Sequence, residues 1–352
     1  GICVATKIDD VGVVPYAENL GFRHAWIPDS QMIWSDCYAY MALAAQQTRT
    51  INIGTGVAVI GTRIAPVTAH SIATINRLAP GRTFLGIGTG NTAQRLMGQR
   101  PIKYKEFDEY IRVLKKLLAG EEVEYTYRGE THPIQFLMPE LGFVEVDPPV
   151  PIHISGFYSR TMQLAGELGD GLVVSVPPQH DFVARARAQA ERGAASVGRT
   201  LPEPFPISSL SAVVVLEKGE DLTSERVIKE CGAFVMSSVH YMYDKIKENG
   251  GEPPPHMRSF WKAYCAMVEA EPVARRHMRV HAGHCTYLLK EEAQFVTPEL
   301  IETTCFAGPP DKLVEQIRIL AEAGLDQLFL LPSLESQYRN FEDVSRKVMA
   351  KL

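Results

Sequence analysis

What most limits the fold of this chain is a unit that recurs along nearly all of it: a turn, a short run of Val, Ile, Leu and Phe, a loop with Gly or Ser, then a helix. The runs are Ile2–Ala5, His24–Ile27, Ile51–Val57, Thr83–Gly88, Ile152–Ser155, Leu172–Val176, Ala212–Leu216 and Gln327–Leu331. They are apolar throughout rather than alternating. That is the pattern of strands buried on both faces, as in an all-parallel sheet. The helices between them have readable ends: Pro66 suits a first helical turn, Pro80-Gly81 stops that helix, Pro310 opens the segment Asp311–Ala323 and Gly324 closes it. Eight such strands alternating with helices predict an α/β fold, a (β/α)8 TIM barrel. An open doubly wound sheet is the competing arrangement.

A bare barrel takes about 250 residues, and this chain has 352, which leaves on the order of a hundred for insertions. Two stretches supply them within a single domain, at about 89–150 and 217–308. Thr89–Val150 holds one amphipathic helix, Tyr104–Ala119, with Phe107, Ile111, Leu114 and Leu118 on a stripe, and then a strand-like, Pro-containing segment. Glu217–Gly308 is mostly helical and polar, interrupted by Gly250-Gly251-Glu252-Pro253-Pro254-Pro255. Both follow a strand, so both are expected at the C-terminal face, where barrel enzymes keep their active sites. They read as walls and lids over one site.

Composition narrows the function classes. With 45% hydrophobic and 22% charged residues the chain can bury a core, so disorder is excluded. A formal net charge of −5 gives no global attraction to nucleic acid or anionic lipid. No stretch approaches the roughly 20 apolar residues of a membrane helix. Six scattered cysteines without a C-x-x-C pair do not form a disulfide framework, and a reducing cytoplasm is the expected compartment. Cys37 and Cys265 read as buried fillers. The chain opens at Gly1, and no charged-then-apolar leader follows.

Residues just past the strand ends should ring one cavity: Pro28-Asp29-Ser30, Gly56-Val57, Gly88-Thr89-Gly90-Asn91, Ser155-Gly156-Phe157-Tyr158-Ser159 and Ser175. The glycines of Gly86–Gly90 let backbone approach a ligand closely, or simply make a tight turn. They fail as a Rossmann fingerprint, because Asn91 stands where the third glycine is needed. Ser155–Thr161 joins a strand to a helix capped at Ser159. Its free N–H groups, hydroxyls and Arg160 suit a phosphate, and an ordinary capped helix is the rival reading.

The chain resembles the luciferase-like family of flavin- and deazaflavin-dependent oxidoreductases. The likeness runs through Leu20-Gly21-Phe22, Trp26-Ile27-Pro28-Asp29, Ile53-Gly54-Thr55-Gly56-Val57, Leu78-Ala79-Pro80-Gly81-Arg82 and Leu85-Gly86-Ile87-Gly88-Thr89-Gly90. It continues in Ser155-Gly156, Leu164–Gly171, Ala307–Asp311 and Ala323–Gln327. Gly90-Asn91-Thr92-Ala93 and Leu96–Pro101 are similar to the branch of methylenetetrahydromethanopterin reductase and other coenzyme F420-dependent enzymes. The resemblance implies a flat tricyclic cofactor across the barrel mouth, coenzyme F420 with FMN as the alternative, and a homodimer. It implies a non-proline cis peptide at Gly56–Val57 behind the ring. Asp29 and Ser30 are then expected at the ring, Trp34 on the substrate side, Gly88–Asn91 at the ring or ribityl chain, and Ser155–Ser159 at the phosphate. Asp29, Ser30, Trp34 and Asn91 are thus the candidate catalytic residues. The family's sugar-phosphate dehydrogenase has His where Ser30 stands and Glu where Asn91 stands, so sugar dehydrogenation is not expected here.

Other conspicuous residues read more plainly. Arg275–Cys285 is a dense cationic run with His277 and His281 four apart and His284 following. It lacks a carboxylate and the H-E-x-x-H glutamate, so no metal is expected. A solvated basic helix face is the first reading and an anion site the second. His70 and His153 read as satisfied histidines, with His153 a minor candidate for the cofactor. Asp170 reads as pinning a turn, and Glu106, Asp108 and Glu109 as an acidic first turn. The expected activity is hydride transfer between coenzyme F420 and a small organic substrate. Trp34, Phe157, Tyr158 and Trp261 suggest that the substrate has a hydrophobic part. An FMN-dependent monooxygenase is the alternative, and a cofactor-binding protein without turnover the third.

Overall fold

The computed structural model describes residues 1–175 and 180–352. Eight parallel strands close into a barrel: β1 (Ile2–Cys3), β2 (His24–Ile27), β3 (Asn52–Val59), β4 (Thr83–Gly88), β5 (Ile152–Ser155), β6 (Gly171–Val174), β7 (Ile207–Ser211) and β8 (Gln327–Leu330). Each pairs with its neighbours in sequence, and β8 closes on β1 through Ile2 and Leu330. The barrel, not the open sheet, is therefore the fold.

One strand differs from the sequence reading. The seventh barrel strand is Ile207–Ser211, while Val213–Val215, inside the expected run, pairs in parallel with Phe306–Gly308 in a separate two-stranded sheet. Val213–Val215 has the stronger β-branched signal. Ile207-Ser208-Ser209-Leu210-Ser211 looks polar, yet Ser208, Ser209 and Ser211 are all buried. Val176, the expected end of the sixth run, lies outside the described residues.

Successive residues on a barrel strand point alternately inward and toward the helices. Ile2, Ala25, Ile27, Ile53, Leu85, Ile87, Ile152, Ile154, Leu172, Val174 and Leu330 belong to the layer between strands and helices. Cys3, Trp26, Phe84, Val173 and Phe329 fill the interior. Trp26 stacks on Phe329 with ring centroids 4.4 Å apart and meets Phe84 edge-on at 4.5 Å and His153 at 5.6 Å. Glycines make room for this plug. A Cβ on Gly54 would lie 2.3 Å from the Phe84 ring, one on Gly86 2.9 Å from the Trp26 indole, and one on Gly171 2.5 Å from His153. Gly86 thus serves the core, not ligand approach.

The two insertions behave differently. The segment between Val213–Val215 and Phe306–Gly308 carries the long helix Glu225–Asn249 and the helix Arg258–Glu269. Its Val227, Met236, Tyr243, Tyr264 and Leu300 share one core with Trp26, Phe84 and Phe329. Because that core is continuous with the barrel interior, this insertion sits over the mouth. The first insertion divides. Thr89–Arg100 stays at the mouth, but the hairpin Val123–Tyr127/Glu130–Ile134 follows the helix Tyr104–Leu118 rather than a strand. Tyr125 lies with Tyr110 of that helix in a groove on the outer flank, and Phe136 meets His70 at 6.5 Å. This hairpin is not a lid.

All six cysteines are free, five of them buried and Cys265 half-buried. Among the described residues no helix is long and apolar enough to cross a membrane.

Candidate functional site

The C-terminal ends of the strands place small residues above the aromatic plug. The Gly56–Val57 peptide is cis, and the β3–β4 register shifts between Thr55 and Ala58. A Cβ on Gly88 would lie 3.0 Å from the Val57 side chain and 3.3 Å from Ser155 Cβ. Val57, Gly88 and Ser155, drawn from three strands, therefore meet at one point of the mouth. Ser175 comes directly after β6, and its hydroxyl donates to Leu210 O at 3.1 Å.

Asp29 lies at the end of β2 but has a different task from the one expected. It is 4% exposed, and its Oδ2 accepts from Arg63 Nη1 at 2.7 Å and from Val59 N at 3.0 Å. Arg63 also reaches Asp36 at 2.9 Å. One carboxylate oxygen thus holds the turn after the β3 bulge. Ser30 is half-buried at the mouth, and its carbonyl accepts from Ile33 N and Trp34 N, both at 3.2 Å. This turn presents Trp34, whose Nε1 donates to Thr286 Oγ1 of the second insertion at 2.9 Å.

The β4 loop turns at Gly90, with φ of +74°, a left-handed conformation that glycine adopts without strain. Thr89 is half-buried beside it, and its carbonyl accepts from Ile102 N at 3.3 Å. Asn91 opens the short helix Asn91–Arg95. Its Oδ1 accepts from Arg95 Nε at 2.9 Å, and Arg95 holds Glu248 of the long helix through two bonds of 2.7 and 2.9 Å. Asn91 is therefore fixed in place by its own helix rather than free to reorient.

At the β5 loop, Gly156 N donates to Val173 O at 3.0 Å. A Cβ on Gly156 would fall 2.9 Å from the Thr161 backbone, so this position is a close approach of loop to helix. The helix Ser159–Leu168 is capped by Tyr158, not Ser159: Thr161 Oγ1 accepts from Tyr158 N at 3.3 Å and donates to Tyr158 O at 2.9 Å. Thr161 N already donates to Tyr158 O at 3.0 Å, which leaves the N–H groups of Ser159 and Arg160 as the first-turn donors without a partner in the helix. Arg160 does not serve a phosphate here, because its guanidinium stacks 3.8 Å over the Tyr104 ring. Phe157 and Tyr158 are exposed, and the Tyr158 hydroxyl lies 2.9 Å from that of Tyr241 on the long helix.

His153 belongs to the plug, and burial holds its imidazole down at about 4. His70 is exposed on the flank. Trp261 packs on Tyr243 and Tyr264, at 6.5 and 5.9 Å, inside the second insertion. Asp170 pins the start of β5 by accepting from Ile152 N at 3.0 Å. Sequence reasoning missed Arg63, Arg95, Tyr241 and Thr286. Each acts through a partner brought up by the fold, and only the charge of the two arginines offered any signal.

The 5,10-methylenetetrahydromethanopterin reductase of Archaeoglobus fulgidus is 27% identical over 346 residues, covering 96% of this chain and 94% of that one. The coenzyme F420-dependent tetrahydromethanopterin reductase of Methanopyrus kandleri superposes with a TM-score of 0.70 at 20% identity, covering 100% of this chain and 98% of that one. An FMN complex of the oxygenating constituent of 3,6-diketocamphane monooxygenase from Pseudomonas putida superposes at 0.61 and 17% identity, over 97% and 92%. These two likenesses show the shared barrel. The luciferase-like monooxygenase family profile matches residues 9–327, and the chain belongs to that family of oxidoreductases.

Proposed function

We propose that this protein transfers a hydride between coenzyme F420, held across the barrel mouth, and a small organic substrate with a hydrophobic part. The observation that carries the reading is the similarity, over 96% of the chain, to a 5,10-methylenetetrahydromethanopterin reductase. At the strand ends above the plug Gly56 packs on Trp26, and Gly88 packs against Val57 and Ser155; this close, backbone-lined surface beside the cis Gly56–Val57 peptide supports a flat ring lying there. Coenzyme F420 supplies a deazaflavin carbon that carries hydride, whereas the nitrogen at that position in FMN makes the reduced ring system reactive toward oxygen as well.

The remaining roles fall to the chain itself. The amides of Phe157, Ser159 and Arg160 and the Ser155 and Ser159 hydroxyls would hold the phosphate at a helix N-terminus. Gly88–Asn91 would lie along the ring and its side chain, with Asn91 oriented by Arg95. Trp34 would shield the substrate side, and Ser30 offers a hydroxyl there. Holding the two reactants in contact and excluding water are the protein's main contributions. With Asp29 engaged by Arg63, a substrate that needs a proton would take it from water or through Ser30. The homodimer belongs to the same reading, and light scattering of the purified protein tests it.

Titration of the purified protein with coenzyme F420 and, separately, with FMN tests the proposal. Retention of coenzyme F420 at micromolar concentration, followed by steady oxidation of its reduced form with a carbonyl, imine or enone acceptor, is the expected result. Preference for FMN with oxygen consumption would establish the monooxygenase alternative. Binding without turnover on any acceptor would leave a carrier, and loss of both cofactors would end the proposal.

A further inference from the structure

The basic run Arg275–Cys285 does not form a continuous solvated face. Only Arg276–Val280 is helical, Arg279 pairs with Glu291 at 3.1 Å, and the chain beyond it turns inward. His281 and His284 there meet His240, which projects from the long helix Glu225–Asn249. His240 and His281 are 2% and 3% exposed. One ring nitrogen from each of the three histidines lies within 4.8 Å of the others.

Their hydrogen bonds divide the two ring nitrogens cleanly. His240 Nε2 lies 3.1 Å from Glu292 Oε1, and His281 Nε2 lies 3.1 Å from Asp244 Oδ2. His284 Nε2 lies 3.4 Å from Thr92 Oγ1. The Nδ1 atoms of all three are buried without a partner. A carboxylate can only accept, so it fixes the proton of His240 and His281 on Nε2 and leaves a bare lone pair on Nδ1. Each buried acceptor left so costs about 1–3 kcal/mol, and all three belong to one histidine cluster. A histidine donating to a carboxylate on one side and presenting a lone pair on the other is the arrangement of metal-bound imidazoles. The carboxylates are themselves held, Asp244 by Arg95 Nε at 3.4 Å and Glu292 by Arg279 at 3.6 Å.

We infer that His240, His281 and His284 bind one first-row transition-metal dication, zinc or its near relatives, through their Nδ1 atoms. Neutral imidazoles suit zinc, copper, nickel and iron and do not suit magnesium or calcium, which take oxygen ligands. Zinc–nitrogen bonds of about 2.1 Å in a tetrahedron set the nitrogens about 3.4 Å apart, so binding would draw the rings together from a spacing of up to 4.8 Å. Three protein ligands leave a fourth position for water. The ion would join the long helix to the segment 281–286. Through the contact of His284 with Thr92, and its ring 6.3 Å from that of Trp34, it would also brace the β4 loop and the substrate wall.

Metal analysis of the protein purified from zinc-supplemented cells, and cobalt(II) titration of chelator-treated protein, test the site. One ion per chain and the intense visible absorption of four-coordinate cobalt are expected. Both should vanish in His240→Gln and His281→Gln and persist in His277→Ala, which alters the same run outside the cluster. Glu292→Gln keeps every proposed ligand and should weaken cobalt affinity about 10–100-fold, so the outcome does not depend on the histidine variants folding. Substoichiometric metal with no cobalt absorption in the parent protein, or cobalt affinity unchanged in both His240→Gln and Glu292→Gln, overturns the inference.

Discussion

Replacing Arg63 by Met should destabilise the protein by about 3–5 kcal/mol, the range for breaking a buried ion pair by removing one partner. Asp29 is 4% exposed and Arg63 20%, with Oδ2 and Nη1 2.7 Å apart. Without the guanidinium, that carboxylate keeps the Val59 amide at 3.0 Å but loses its counter-charge in a desolvated place. The second arm of Arg63, to the 55%-exposed Asp36, adds no more than about 1 kcal/mol. Asp29→Asn on top of Arg63→Met removes the stranded charge, so the double variant should recover about half or more of the loss. Urea unfolding of the parent, both singles and the double gives the coupling energy directly. The same proteins separate structure from chemistry. If Asp29 only holds the bulge, the double variant binds and turns over coenzyme F420 once refolded; if it acts on substrate, kcat stays low despite the recovered fold. An Arg63→Met cost below about 1 kcal/mol, as for a surface pair, or a double variant no more stable than that single, refutes the reasoning.

Three more outcomes are expected. Glu18 is raised by burial, but the amides of Arg49, Thr50 and Ile51 and the Thr50 hydroxyl outweigh this and hold its carboxyl at about 2, below its ordinary 4.5. Its contribution is therefore complete above about pH 4.5 and is lost as pH falls toward 2; Glu18→Gln should cost about 1.5–3 kcal/mol at pH 7 and much less at low pH, read from urea midpoints at both. Gly86→Ala would put a Cβ 2.3 Å from Thr55 O and 2.9 Å from Trp26, and should cost about 1–3 kcal/mol by overpacking, measured by thermal unfolding. Trp34→Phe loses the bond to Thr286, and KM for the acceptor substrate should rise about 2–10-fold with affinity for coenzyme F420 unchanged, as steady-state kinetics and titration would show.

The barrel was legible because its strands carry their burial in their own composition. Ile53, Leu85, Ile152 and Leu172 are apolar for the helix layer, and no distant residue is needed to see it. The seventh strand was misread because Ser208, Ser209 and Ser211 carry no apolar signal of their own and are buried only through pairing in the closed barrel. Gly86 shows the same limit within the candidate site. A glycine after a strand signals that something comes close, but whether a ligand or the Trp26 indole does so depends on a residue about sixty positions earlier in the chain. Asp29 follows β2 as the sequence order implies, yet its engagement by Arg63 was invisible, since a carboxylate held by a partner and one free to react have the same letter.

The second insertion explains why the site resisted reading more than the fold did. Its motifs carry no local periodicity that refers to the barrel, yet it touches the mouth at the β2, β4 and β5 loops. Trp34 of the β2 loop bonds Thr286, Arg95 of the β4 loop holds Glu248, Thr92 meets His284, and Tyr158 of the β5 loop meets Tyr241. Glu248, Tyr241 and His240 all project from one helix, Glu225–Asn249. A rigid helix that contacts two rim loops, and adjoins a third through the segment 281–286, ties their positions together. A shift of that helix by a fraction of an ångström would move Asn91 through Arg95 and Tyr158 through Tyr241 in concert. The insertion therefore acts less as a cover than as the frame that sets the rim, and substitutions along this helix should alter cofactor affinity and substrate KM together, whereas Trp34→Phe alters KM alone.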